Sequence, residues 1–457
     1  MSTSLLIALS LVILVFLLTR RRRKSTAGRK LPRPPGPPGL PLFGNFLQFN
    51  PENLHLRLAK LSNKYGPLMS MTLVGKPVIV ISSAPVAKEA LKHNDVAFSS
   101  RPSFITSRKL TYNNHDIAFS PYTEYWREMR KMVVLRLFTL KQVKSFRPVL
   151  EDEVARMVQQ ISRRANAQQP VNINEAAMLL SSGLICRIAL GKRYDEEDGW
   201  GNIFLDWVGL TSFVHLSPNR PESMNGDILD LLIQLKEDRS SSIQINWEHV
   251  KGVLLDIFVA GTETSATTIT WAMTALIKKP QVLNKVQQEI RTLVREKGSV
   301  AEEDILKLPY LKAVVKETLR LYPPSPLALP RLTTKTSIID GYEIEPNTIV
   351  YVNVWKIARD PNFWENPDEF LPERFLNSNV DYKGQDFEFL PFGSGRRVCP
   401  GMTLGTAEVE AVLANLLYSF NWELPPGMVE DDVDMDFVPG LVTQKKNPLC
   451  LMAKSYL

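Results

Sequence analysis

Residues 389–401 read FLPFGSGRRVCPG, and no regular element can run through them. Three glycines and two prolines interrupt helix and central strand alike, so the chain must turn tightly before the helical pattern that begins near Met402. Pro400 suits the first position of that helix. Cys399 then lies at a helix N-terminus, where backbone amides and the helix dipole stabilise negative charge on sulfur. Gly393 and Gly395 permit close approach of the backbone to a bulky planar group. Gly401 leaves space beside such a group, Phe392 can shield the sulfur, and Arg397 can pair with a carboxylate. Two other readings compete: an inert buried cysteine, and a dinucleotide-binding turn. Gly393 and Gly395 do begin a GxG pattern, but Val398 occupies the third glycine position and no strand and βαβ unit frame it.

The rest of the body is mostly helical. Apolar positions recurring every three to four residues predict helices over 53–65, 86–93, 122–135, 147–164, 176–189, 250–278, 281–296, 311–321 and 402–420. Strand-like runs at 68–73 and 78–82 across a turn at 74–77 predict a small sheet, and short strands return at 336–344 and 349–353. No internal repeat or second composition shift divides 51–457, which reads as one domain. With 44% hydrophobic and 23% charged residues, the chain can bury a large core, which excludes disordered, collagen-like and disulfide-scaffold classes. Cys186, Cys399 and Cys450 lack paired spacing, as in a reducing compartment. The five histidines form neither an HxxxH pair nor a Cys/His cluster, against an ordinary zinc site.

The N-terminus has a different character. Residues 2–19 carry no charge, and Arg20, Arg21, Arg22, Arg23 and Lys24 follow at once. That order predicts a transmembrane anchor with a basic stop-transfer over 1–24, in an endoplasmic-reticulum membrane, with the body facing the cytosol. A cleavable signal peptide places its charge before the apolar run and small residues after it. Residues 25–50 form a linker in which LPRPPGPPGLP, with six prolines, predicts a stiff spacer. The first 50 residues hold eight of the 55 Lys and Arg and no acid, so the net charge of +7 sits in this arm. The near-neutral remainder gives no reason to expect nucleic acid as a partner.

At this point the motifs point to a family. FGSGRRVCPG resembles the haem-binding loop of cytochrome P450 enzymes. Glu317 and Arg320 in KETLRL, three apart on one helical face, resemble the family's ExxR pair, and Arg374 in LPERF resembles the third member of that ion network. AGTETS at 260–265 is similar to the oxygen-activation motif, so the resemblance gives Glu263 and Thr264 the role of the acid and alcohol that deliver protons. A transmembrane reading of that helix conflicts with Asp256, Glu263 and its many hydroxyls. Trp126 and Arg127 in EYWREMRK, and Arg331, resemble residues that hold the haem propionates. Helix packing and a solvated charge explain those three as well. The resemblance covers almost the whole chain. Its details look most like microsomal plant enzymes of the specialised-metabolism clan, nearest the aldoxime-metabolising group.

The resemblance implies a mainly α P450 fold with small β-sheets, a single catalytic domain behind the anchor, and haem b bound through Cys399. It also implies monooxygenation of a small organic substrate with dioxygen and electrons from NADPH through a cytochrome P450 reductase, since the chain has no flavin or nicotinamide fingerprint. Arg127, Arg130, Lys131 and Arg136 are candidates for the reductase face. Phe104, Phe119, Phe258, Ser325, Leu327 and Val438 are candidates for the substrate pocket. One interval departs from the pattern. Only residues 195–249 separate GKRY from the long helix, and family members have many more there, forming two helices that roof the pocket. This chain offers only 206–215 and 226–239 as helical stretches. Two alternatives therefore stand beside the monooxygenase: a truncated, non-catalytic or poorly coupled haem protein, and a reductase-independent haem-thiolate isomerase or dehydratase.

Overall fold

The computed structural model describes residues 31–49, 52–193, 226–238, 243–295 and 297–456. The expected anchor at 1–24, the start of the linker and the helical stretch at 206–215 lie outside them. In chain order the longer helices are α1 (Leu54–Tyr65), α2 (Glu124–Leu137), α3 (Arg147–Asn166), α4 (Ile173–Leu190), α5 (Ile228–Glu237), α6 (Trp247–Ile277), α7 (Pro280–Val294), α8 (Pro309–Leu321) and α9 (Met402–Ser419). The strands are β1 (Leu68–Leu73), β2 (Lys76–Ile81), β3 (Val171–Asn172), β4 (Arg331–Leu332), β5 (Ser337–Ile339), β6 (Tyr342–Ile344), β7 (Ile349–Val352), β8 (Phe420–Glu423) and β9 (Cys450–Ser455). They form a four-stranded sheet in the order β1-β2-β7-β4, a three-stranded sheet β3-β9-β8 and the hairpin β5-β6. This is the mainly α architecture with small sheets that the sequence predicts.

Local chemistry sets the helix ends. The Thr123 hydroxyl accepts from Trp126 N and starts α2, Asn172 caps α4, and the Asn246 side chain accepts from Glu248 N and His249 N to start α6. Each cap satisfies amides that the first helical turn leaves without partners. Pro280 and Pro309 stand at the first positions of α7 and α8, where a missing amide costs nothing. Between β1 and β2 the turn is only Val74 and Gly75, both at positive φ, which matches the twist of a tight hairpin.

The largest core lies among α3, α4, α6, α8 and α9. Every residue of α6 from Ser265 to Ile277 is buried, whereas Phe258 to Thr264 are only part-buried or exposed. One helix therefore serves two surroundings, an anchored C-terminal half and an accessible middle. Gly261 makes this possible on the α4 side, because a Cβ there would fall 2.6 Å from Ile185 Cδ1. By length and composition α4 could cross a membrane, but it is 67% buried and packs along α6 as a core helix.

The proline-rich stretch is more than a spacer. Pro35 O accepts from Ser70 N at 2.7 Å, Pro34 O accepts from Ser70 Oγ at 2.6 Å, and Asn45 Nδ2 donates to Pro37 O at 3.1 Å. Prolines lack amides but keep carbonyls, and these dock the later part of the linker onto β1.

A buried ion network fixes the irregular chain between α8 and the cysteine loop. Arg320 Nε and Nη2 donate to the two carboxylate oxygens of Glu317 at 2.7 and 2.8 Å, and both residues are 0% exposed. The remaining Arg320 donors reach Ala358 O, Pro367 O and Glu369 O. Arg374 Nε reaches Glu317 Oε1 at 3.0 Å and its Nη1 donates to Glu365 O at 2.9 Å. Glu317→Gln leaves two guanidinium groups around a neutral amide, so the variant should lose roughly 3–5 kcal/mol of stability. Chemical denaturation measures this, and an unchanged midpoint would show that the carboxylate is not what holds the network.

Candidate active site

The chain enters the site through two linked turns. Gly393 N donates to Leu390 O at 3.0 Å, Val398 N to Gly395 O at 3.1 Å, and Cys399 N to Phe392 O at 3.0 Å. Gly395 has φ +67°, and a Cβ there would lie 2.5 Å from Leu91 O. No other residue satisfies both demands without strain. The turns deliver Cys399 just before α9. Although the residue keeps some accessible surface, the dense protein around its sulfur pushes the thiol up, against the amides of Gly401 and Met402 and the charge of Arg130. The position of a Cβ on Gly401 is open space. Phe392 packs edge-on to Tyr382 at 5.5 Å.

Four arginines converge beside this loop. Arg397 donates to Ser99 O, Ile117 O and Ser120 O at 2.7, 3.1 and 2.6 Å, and its guanidinium stacks 3.8 Å from the Trp126 ring. Arg331 Nη2 donates to Ser394 O at 2.8 Å, and Arg101 to Ala118 O at 2.9 Å and Leu329 O at 2.6 Å. Arg130 reaches Val398 O, one residue before the cysteine. Among the described residues none of the four has a carboxylate in ion-pair contact. Burial, then mutual repulsion, lowers Arg397 to about 9, and burial is the main cause that lowers Arg331 to about 10. Carbonyl dipoles hold these cations, and Asp116 and Asp95 offset part of their repulsion, but the cluster still favours an anion. Arg101 and Arg130 were not placed in this role by the sequence. Arg127 stands exposed, because it lies about 100° around α2 from Trp126, whereas Arg130 is one turn on and shares the Trp126 face.

Across the accessible middle of α6, Thr264 Oγ1 donates back to Ala260 O at 2.5 Å. Glu263 Oε1 accepts from Gln444 Nε2, and burial raises the carboxyl above the ordinary range while that bond opposes the rise. Asp256 accepts from Ile117 N at 2.8 Å and Ala118 N at 3.1 Å, tying the 111–120 loop to α6. Burial and the neighbouring Asp116 carboxyl raise Asp256 well above the usual carboxylate range. Phe104, Phe119, Ser325 and Leu327 line a cavity of about 340 Å³. Phe258 packs against the main core instead, and Val438 is 44% exposed, its neighbours Phe437 and Pro439 lining the cavity in its place.

Behind Thr264 lies a carboxyl that sequence reasoning missed. Ser181 Oγ on α4 donates to Glu408 Oε1 on α9 at 2.5 Å, and Ser265 bonds the same carboxyl.

Residues 34–212 and 214–452 match the family model described as Cytochrome P450. The break at 213 falls inside the short 195–249 interval. A 5-OH-xanthotoxin synthase of Ammi majus is 43% identical over 93% of this chain and 94% of its own length. A strychnine-11-hydroxylase of Strychnos nux-vomica is 41% identical over 99% of this chain and 97% of its own. That alignment runs over 500 positions, so the relative carries residues that a chain of 457 lacks. A solved zebra fish cytochrome P450 structure with abiraterone superposes with a TM-score of 0.76 at 25% identity, covering 88% of this chain and 100% of that one.

Burial lifts Glu408 to about 7. The unfolded chain releases this proton near the ordinary glutamate range while the folded chain keeps it, so the group reduces stability as pH rises from about 4.5 to about 7. Glu408→Gln keeps the serine contacts without the charge. It should be more stable than the parent above pH 7 by on the order of 3 kcal/mol, with the gap closing toward pH 4.5. Urea denaturation at both pH values measures this, and a pH-independent difference would contradict it.

Proposed function

The chain belongs to the cytochrome P450 family, a haem b monooxygenase family with thiolate ligation, and on that premise we propose that Cys399 would supply the thiolate to the haem and that the cavity lined by Phe104, Phe119 and Leu327 receives a small apolar plant metabolite. The observation that carries the reading is the pairing of a cysteine at the start of α9 with buried Arg101, Arg331 and Arg397 and part-buried Arg130, none of which has a carboxylate in ion-pair contact among the described residues. A flat group bearing two carboxylates fits that donor set. Arg101, Arg331, Arg397 and Arg130 would hold its carboxylates, Trp126 supports Arg397, and Gly401 offers the open space beside Cys399. The amides of Gly401 and Met402 stabilise the thiolate.

The bound haem supplies the activation of dioxygen. The overall reaction is RH + O2 + two electrons + two protons to ROH + H2O. The residues of the chain manage substrate and protons. Glu263, with Gln444 on one oxygen and a raised affinity for protons, holds a proton at its carboxyl. Thr264 Oγ1 is anchored on Ala260 O and can turn to pass a proton on from the part-buried middle of α6.

The two relatives named above are called a synthase and a hydroxylase of specialised metabolites, which supports a substrate of that class. Residues 1–24 are proposed as the membrane anchor, 25–50 as the linker and 51–457 as the catalytic domain, in the endoplasmic-reticulum membrane and facing the cytosol. Electrons would come from NADPH through cytochrome P450 reductase. Exposed Arg127, Lys131 and Arg136 on α2 suit its docking, whereas Arg130 turns inward. A second reading, a poorly coupled or non-catalytic haem protein, is favoured by the short 195–249 interval and by the break in the family match within it.

One experiment separates these readings. Thr264→Ala should still bind haem but give product per NADPH lowered roughly tenfold or more, because the proton relay alone is lost. Turnover with purified reductase on a coumarin substrate measures it. Unchanged coupling would remove Thr264 from the relay, low coupling in the parent would favour the short-roof reading, and reductase-independent turnover would favour an isomerase or dehydratase.

A further inference from the structure

Five polar side chains line the cavity, those of Asn53, His55, Ser325, Tyr351 and Thr443, and His55 is the one that carries separate donor and acceptor nitrogens on a rigid ring. His55, in the first turn of α1, lines it together with Phe104, Phe119 and Phe437. No Asp, Glu, Lys or Arg is among the lining residues. His55 is only 5% exposed, and its ring packs 5.0 Å from that of Phe437 and 5.6 Å from that of Trp355. Its backbone carbonyl accepts from Asn353 Nδ2 at 2.8 Å, but neither imidazole nitrogen has a hydrogen-bond partner among the described residues. Neither nitrogen is a fully enclosed, unsatisfied atom; both keep accessible surface, where water or a bound ligand can satisfy them. A ring needed only for packing would be served by phenylalanine or leucine.

Burial, with the charge of Arg359 second, drops the imidazole to about 4. At neutral pH one nitrogen donates and the other accepts, and no charge enters the cavity. Phe104, Phe119, Tyr351 and Phe437 give the cavity flat apolar surface, and His55 adds a neutral hydrogen-bonding ring beside the uncharged polar groups of Asn53, Ser325 and Thr443, which suits a flat, uncharged body with a polar substituent. A volume of about 340 Å³ lies within the range of small-molecule sites.

Resting on the monooxygenase reading above, we propose that His55 is a specificity-determining residue of this cavity, selecting uncharged planar aromatic substrates whose hydroxyl or carbonyl group hydrogen-bonds to the imidazole. The apolar body then lies among Phe104, Phe119 and Phe437. His55 does not touch the reacting atoms; it fixes which compounds enter and which edge they present.

The test uses the haem-loaded full chain and two probes of nearly the same shape, 2-naphthol and 2-methylnaphthalene, with binding read by equilibrium dialysis at pH 7. The parent should prefer 2-naphthol. His55→Phe should weaken 2-naphthol roughly tenfold, equivalent to about 1.4 kcal/mol, and leave 2-methylnaphthalene within about twofold. His55→Gln, which keeps a donor and an acceptor, should recover part of the preference. His55→Leu provides the same test should the Phe variant fail to load haem. Because the imidazole stays neutral, the parent's preference should be the same at pH 6 and pH 7. Equal loss for both probes, no loss for either, or a parent that binds neither overturns the proposal. A missing thiolate-type absorption band with the preference intact would instead remove the monooxygenase reading and leave this inference standing.

Discussion

Arg320 uses all five of its N–H groups without reaching water, two on Glu317 and three on carbonyls of the irregular chain that follows α8. The rest of the site depends on this. The segment from Ala358 to Arg374 has little regular structure of its own, and it leads directly toward the cysteine loop. A buried charge is tolerated only when its partners are complete, so the segment has one arrangement in which Arg320 is satisfied. Trp364, 5.2 Å beneath the Arg320 guanidinium, closes the network against Phe375 and Phe389. From Phe389 the chain passes straight into the turns that place Cys399.

The site has the opposite electrostatic condition. Arg101, Arg130, Arg331 and Arg397 are held by carbonyls from several distant segments, yet among the described residues none is in ion-pair contact with a carboxylate. Repulsion among them, which Asp116 and Asp95 offset only in part, favours a bound dianion here. The same contrast appears along α6. Its C-terminal half is sealed in the core, while in its middle Ala260 is exposed, Thr264 part-buried and Gly261 closely packed against α4. Stability is concentrated in α8 and the core half of α6, and binding capacity lies where those elements leave charges and helix faces open.

Much of this was legible in the sequence because long periodic helices and tight turns carry local signals. The helix expected at 402–420 is Met402–Ser419, and that at 281–296 is Pro280–Val294. β3, β4, β8 and β9 were missed, since strands of two to six residues that pair across the chain leave no periodicity to read. The Arg127 assignment followed a motif, whereas helical phase favours Arg130, which lies four residues after Trp126 on the same face. Arg101, Glu408 and His55 were not legible, because what distinguishes each is a tertiary surrounding: carbonyls from 118 and 329, serines from two other helices, and aromatic rings from 355 and 437.

The central claim is that Cys399, placed by the turns at Gly393 and Gly395, binds the haem iron. The most direct measurement is the absorption spectrum of the reduced, carbon-monoxide-bound protein. The parent chain, Cys186→Ser and Cys450→Ser should all show the band of a thiolate-ligated haem, because Cys186 is buried in α4 and Cys450 lies in β9. Cys399→Ser should lose it, since a serine oxygen is a poorer donor to iron. An unshifted band in Cys399→Ser would contradict the account.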